Sequence, residues 1–179
     1  IDYLKGERPV YALVAPAAEG QFGADITMES LREGIRELGF KDMVDVAIGA
    51  DFVSDSEAKE WAEAYNEGKK MTTSCCPAYV RAVNIHVPEL SPCISETKSP
   101  MIYTAKLAKE ADPDCITVFI GPCLAKRREA FDSDLVDYVL SVDEVNALFE
   151  AKEIDVTKAP VDMAKITKYV PTVSGRNFA

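Results

Sequence analysis

Three cysteines in this sequence stand where chain geometry makes a thiol chemically useful. TTSCCPAYV (72–80) puts Cys75 and Cys76 where a strand turns into a helix, and FIGPCLAKRREA (119–130) puts Cys123 just past the end of another strand. Unpaired backbone N–H groups at helix starts stabilise thiolates and cluster sulfides, so both places suit soft-metal ligation. Adjacent side chains point in different directions. If Cys76 faces a metal together with Cys123, Cys75 faces elsewhere, and a free thiol beside a metal suits proton delivery better than ligation. The chain has five cysteines and no C-x-x-C pair, which argues against a disulfide scaffold and against a self-contained zinc site. Cys93 and Cys115 have no motif around them and read as small buried hydrophobes. His86, the only histidine, lies beside a proline in NIHVPEL, which suggests a helix end or a surface loop.

The elements that must hold these thiols follow from hydrophobic periodicity. Strands are expected at 10–15 (VYALVA), 43–48 (MVDVAI), 70–74, 115–120 (CITVFI) and 138–140. Thr27 predicts the cap of a helix with Met28, Leu31, Ile35 and Leu38 on one face and Gly39 as its stop. Ser54 and Glu57 have capping-box spacing before a helix carrying Ala58, Trp61, Ala62 and Tyr65 and ending at Gly68. Further helices are expected after Pro77, after Ser99 and Pro100, and after Ser141 with Glu144. Strands alternating with helices imply an α/β fold, a parallel sheet of about four strands flanked by helices on both faces. Sites in such sheets gather beyond the carboxyl ends of the strands, where the loop at Pro16, Cys75 with Cys76, and Cys123 all fall.

Composition narrows the class. The 179 residues carry 20 Lys plus Arg against 30 Asp plus Glu, a net charge of -10 with the wrong sign for nucleic-acid binding. The longest apolar stretches fall well short of the roughly 20 residues a membrane helix needs, and the N-terminus lacks a signal-peptide layout. A soluble cytoplasmic protein without a membrane or nucleic-acid partner is expected. The pattern weakens after 152, and SGRNFA (174–179) reads as the start of a further unit, which divides the chain into 1–173 and 174–179.

Taken in order, VAPAAEGQFG (14–23), IGAD (48–51), TTSCCP (72–77), ETKSPM (96–101) and GPCLAKRREA (121–130) resemble the catalytic domain of the iron-only FeFe hydrogenases, over about 10 to 131. The resemblance implies one lobe of a two-lobed domain, with reversible oxidation of dihydrogen to protons and electrons at an H-cluster. That cofactor is a four-iron four-sulphur cubane joined to a diiron unit with carbonyl, cyanide and dithiolate ligands. By the matched motifs Cys76 and Cys123 would be cubane ligands and Cys75 the proton donor. Lys126 would hold a cyanide ligand, and Ala15, Pro16, Ser99 and Gly121 would lie around the diiron unit. The family's proton path falls on Cys75, Glu57, Ser95 and Glu60. Ferredoxin or another electron carrier and the second lobe are the implied partners.

Departures from the family pattern bear on activity. No cysteine follows Cys123, whereas a cubane wants four thiolates, so 1–173 reads as the first lobe and 174–179 as the beginning of the second. Gly121 stands where strongly catalytic members carry methionine, Met101 where they often carry glutamine, and Ala64 where their proton path ends in arginine. This pattern is similar to the sensory branches of the family. The alternatives to an enzyme are a hydrogen or redox sensor, or a hydrogenase-like iron–sulphur assembly protein. Two residues keep plainer readings as well: Glu57 as the partner in a capping box and Ser99 as a helix cap. Of the basic run Lys126, Arg127 and Arg128, one is expected to turn inward.

Overall fold

The strand ITVFI is buried at every position, which requires cover on both faces and so favours a central place in a parallel sheet. A computed structural model describes residues 2–159 and shows this arrangement. Strands β1 (Val10–Val14), β2 (Asp42–Asp45), β3 (Ile116–Ile120) and β4 (Tyr138–Leu140) pair in the order β2-β1-β3-β4, all parallel. Ala12 sits between Met43 and Val118 in the register. The expected α/β class and strand number are therefore observed.

Helices α1 (Met28–Glu37) and α6 (Val142–Ala151) supply Leu31, Ile35, Val145 and Phe149 to one face, against Ala12 and Val14. On the other face Leu13 and Phe119 meet Met101, Ala105 and Ala108 of α4 (Pro100–Ala111). Alternate strand residues serve opposite cores, as the pleat dictates. Asp137 binds this side together, because its carboxylate accepts from the Thr117 amide (2.8 Å) and hydroxyl (3.0 Å) and from Lys109 (2.9 Å). Thr27 and Ser141 cap α1 and α6 with reciprocal side-chain bonds, as their positions predict.

Helix α2 (Ala47–Asn66) corrects two expectations. It begins directly after β2, where the Asp45 carboxylate accepts the Ala47 amide (2.8 Å), so the second strand stops at Asp45 and not at 48. Ser54 then lies inside the helix, and the Ser54–Glu57 capping box does not form. The start of α2 packs against α4 at Gly49, where an added Cβ would stand 2.1 Å from the Pro100 carbonyl oxygen. Buried residues end at Val53, so the later turns of α2 leave the core. The expected strand at 70–74 is a single parallel bridge between Thr72 and Ile94. Short α3 (Pro77–His86) and α5 (Lys126–Phe131) follow the two cysteine sites. The unit expected at 174–179 lies outside the described residues.

Candidate functional site

From β1 the chain crosses to β2 on one side, while β3 lies on the other, and such a switch point opens a crevice beyond the strand ends. Ala15 and Gly121 sit there, the Ala15 amide donating to Ile120 (2.9 Å) and the Gly121 amide to Leu140 (3.2 Å). A Cβ on Gly121 would lie 3.1 Å from that of Ala15 and 2.9 Å from the buried Phe119 ring, so the crevice floor is closely packed. Pro16 opens one 3-10 turn, Pro16–Ala18. Cys123 is exposed just beyond, before α5.

Cys75 and Cys76 reach this edge by a different route from the one the strand pattern suggests, since no sheet strand precedes them. Lys126 Nζ donates to the Cys75 carbonyl (3.1 Å) and pairs with Glu129 (2.7 Å). Its side chain is 13% exposed whereas Arg127 and Arg128 are exposed, so Lys126 is the member of the basic run that turns inward. That contact fastens the Cys75–Cys76 turn to the helix that follows Cys123. Cys76 caps α3, its sulfur accepting the Tyr79 amide (3.4 Å), and is exposed; Cys75 is half-buried. His86 is exposed at the end of α3 and Cys115 is buried, as their plain readings have it, whereas Cys93, expected buried, is only half-buried.

Two glutamates one turn apart on α2 hold the segments that carry the thiols and Ser99. Glu57 accepts from the Thr73 hydroxyl (2.8 and 3.0 Å to its two oxygens) and from the Ser74 amide (3.1 Å). Thr73 Oγ1 in turn accepts the Cys75 amide (3.4 Å). Glu60 accepts from the Ser95 hydroxyl (2.5 Å), the Glu96 amide (2.8 Å) and the Thr97 hydroxyl (3.0 Å). Burial raises the Glu60 pKa, but those donors outweigh it and hold the carboxyl below its ordinary range. The two segments also join each other, by the Ser95 amide to Thr72 (2.8 Å) and by the Ser74 hydroxyl to the Thr97 carbonyl. The structure thus brings Glu57 beside the Cys75 turn and Glu60 to Ser95. Thr73, Thr97 and Glu129 complete these contacts; of the three, only Glu129 had a sequence signal, its i,i+3 spacing from Lys126.

Ser99 occupies the cap position of α4 without making a cap bond, and its buried hydroxyl has no partner among the described residues. An orphaned buried hydroxyl costs free energy unless a group outside the chain satisfies it. The plain capping role of Ser99 is therefore not realised. The donor set at this edge, two exposed thiols, an inward ammonium and this hydroxyl, fits an anionic iron–sulphur group bound by soft ligands. Among the described residues no three Cys, His, Asp or Glu side chains converge to hold a metal. No helix of the described residues is long and apolar enough to cross a membrane.

Fold and site together define an open parallel α/β domain with two exposed thiols at its strand-end edge. Residues 8–179 match the family described as the iron-only hydrogenase large subunit, C-terminal domain, and the chain belongs to that family. It is 28% identical over 182 residues to the periplasmic Fe hydrogenase large subunit of Nitratidesulfovibrio vulgaris, covering 90% of this chain and 43% of that protein. It is 37% identical over 93 residues to the cytosolic Fe-S cluster assembly factor NAR1 of Kluyveromyces lactis, covering 50% of this chain and 20% of that protein. The apo FeFe-hydrogenase HydA1 of Chlamydomonas reinhardtii superposes with a TM-score of 0.78 at 28% identity, over 86% of this chain and 45% of that one. The chain thus spans less than half the length of these relatives.

Proposed function

We propose that this chain is the first lobe of an iron-only hydrogenase, whose complete form interconverts dihydrogen with protons and electrons delivered by ferredoxin or a similar carrier. The Lys126 tie, which fastens the Cys75–Cys76 turn to the helix after Cys123, carries this reading. Cys76 and Cys123 would supply two cubane thiolates, with the other two from the second lobe. When bound, the H-cluster supplies the hydride and redox chemistry at its diiron unit. Lys126 offers a compact positive charge to a cyanide, Ser99 a hydroxyl donor, and Ala15, Pro16 and Gly121 a packed wall that excludes water. Cys75 holds and passes the proton, Glu57 stands behind it next to Thr73, and Ser95 with Glu60 form the outer arm.

A second reading, an iron–sulphur assembly factor, is favoured by the likeness to the Kluyveromyces lactis protein. Hydrogen evolution from a reduced dye, measured on the complete matured protein, separates the two. The hydrogenase evolves hydrogen, and Cys75→Ala abolishes most turnover while keeping the cluster's infrared bands. A protein with a cubane signal but no diiron bands and no turnover is the assembly factor.

A further inference from the structure

Glu57 faces more than Thr73 and Ser74. It lines an open pocket of about 330 Å3 with Ser54, Ala58, Trp61, Met71 and Thr73. We propose that solvent reaches Glu57 directly through this pocket, making it a second mouth of the proton route, independent of Ser95 and Glu60. The proposal rests on the hydrogenase reading above.

The pocket is open to solvent and wide enough to admit water. Its wall offers the Ser54 and Thr73 hydroxyls and the Glu57 carboxylate, the kind of polar partners that hold water in a cleft. The outer arm is less continuous. Both Glu60 oxygens are taken by donors of the 95–97 segment, while those of Glu57 are taken by Thr73 and Ser74. The side-chain link between the two clusters is the Ser74 hydroxyl donating to the Thr97 carbonyl. A backbone carbonyl accepts and does not donate, so this bond by itself relays no proton between the two glutamates. The Ser95, Glu96 and Thr97 donors, which lower the Glu60 pKa against the effect of burial, also disfavour its protonated form. One turn beyond Glu60, Ala64 offers no titratable group.

The step is a plain proton transfer. A protonated pocket water gives one proton to a Glu57 oxygen, and the neutral acid passes it inward towards Cys75 and returns to the carboxylate. No bond between heavy atoms changes and nothing is oxidised.

The test uses the complete protein in two arms. Carboxyl labelling with a carbodiimide and glycine ethyl ester, read by peptide mass spectrometry, reports access to Glu57 without reference to activity. Ala58→Phe plugs the pocket from an exposed helix position, and Ser54→Leu plugs it from a neighbouring one. Labelling of Glu57 is expected to fall about tenfold in each plug variant, with that of Glu60 unchanged. In the second arm, either plug in a Glu60→Gln background is expected to lower hydrogen turnover about tenfold beyond Glu60→Gln alone, because both mouths are then closed. The proposal is overturned if Glu57 takes no label, if labelling is indifferent to both plugs, or if both leave turnover in the Glu60→Gln background unchanged. A wild-type protein without cluster bands overturns the hydrogenase reading and the route with it, whereas indifferent labelling in an active enzyme overturns the pocket alone.

Discussion

Ser99 shows how a single side chain separates folding from function. Its hydroxyl is buried and unpartnered among the described residues, so it costs stability in the isolated lobe. Ser99→Ala is expected to raise the stability of cluster-free protein by about 1 kcal/mol, seen in urea midpoints, and to weaken cluster retention in the matured protein. A loss of stability would show that the hydroxyl has a structural partner. The thiols divide in the same way: Cys76→Ala or Cys123→Ala is expected to remove the cubane signal, and an intact cubane in either variant would exclude that cysteine as a ligand. Glu60 contributes to the acid sensitivity of the fold. Its pKa is lowered in the fold, so its contribution is present above the ordinary carboxylate pKa of about 4.3 and is lost as the pH falls through the lower folded value. Urea midpoints followed from roughly pH 5 to 3 should fall less steeply in Glu60→Gln than in the parent. At this scale the cysteine motifs were legible in the sequence because ligand chemistry needs particular residue types. The use of Glu57 to hold Thr73 and Ser74 was not, because 16 residues separate it from Thr73 and no local rule spans that gap.

Among the elements, α2 decides where the site can form. Gly49 lets it meet α4 with backbone in contact, and a methyl group there would collide with the Pro100 carbonyl at 2.1 Å. Neither backbone can yield without separating the helices, so Gly49→Ala is expected to cost about 3 kcal/mol in chemical denaturation. It should also loosen the grip of Glu57 and Glu60 on the segments that carry Cys75 and Ser99. Asp137 plays the matching part across β3, β4 and α4, through Thr117 and Lys109. Burial raises its pKa, but the Thr117 and Lys109 donors outweigh it and hold the carboxyl below its usual range. Helices with a side-chain cap and a clean apolar face, α1 and α6, were readable residue by residue. The start of α2 was not, since its cap position is Val46, the side-chain bond there comes from Asp45 one residue earlier, and its first four residues are uncharged, so MVDVAI looks like one continuous strand. The segment at 70–74 has strand-like residues but finds one bridging partner, because its remaining polar contacts go to Glu57 of α2 and to the Thr97 carbonyl.

For the whole molecule, two thiols at one edge cannot complete a four-thiolate cubane, and the chain spans less than half the length of its relatives. The lobe produced alone is expected to retain little iron after anaerobic reconstitution and gel filtration, while the complete protein retains a cubane. Stoichiometric cluster in the lobe alone would refute the shared-ligand arrangement. The sequence by itself determined the α/β class, the parallel sheet of about four strands and the family, because these rest on periodicity and residue type, which are local. Only the tertiary structure decided which basic residue turns inward, that Ser99 is orphaned, that Glu57 and Glu60 each hold a separate segment, and that a pocket opens on Glu57. Those facts depend on pairs of groups far apart in the chain, such as Lys126 and Cys75 or Glu60 and Ser95, whose proximity is set by how the helices pack on the sheet.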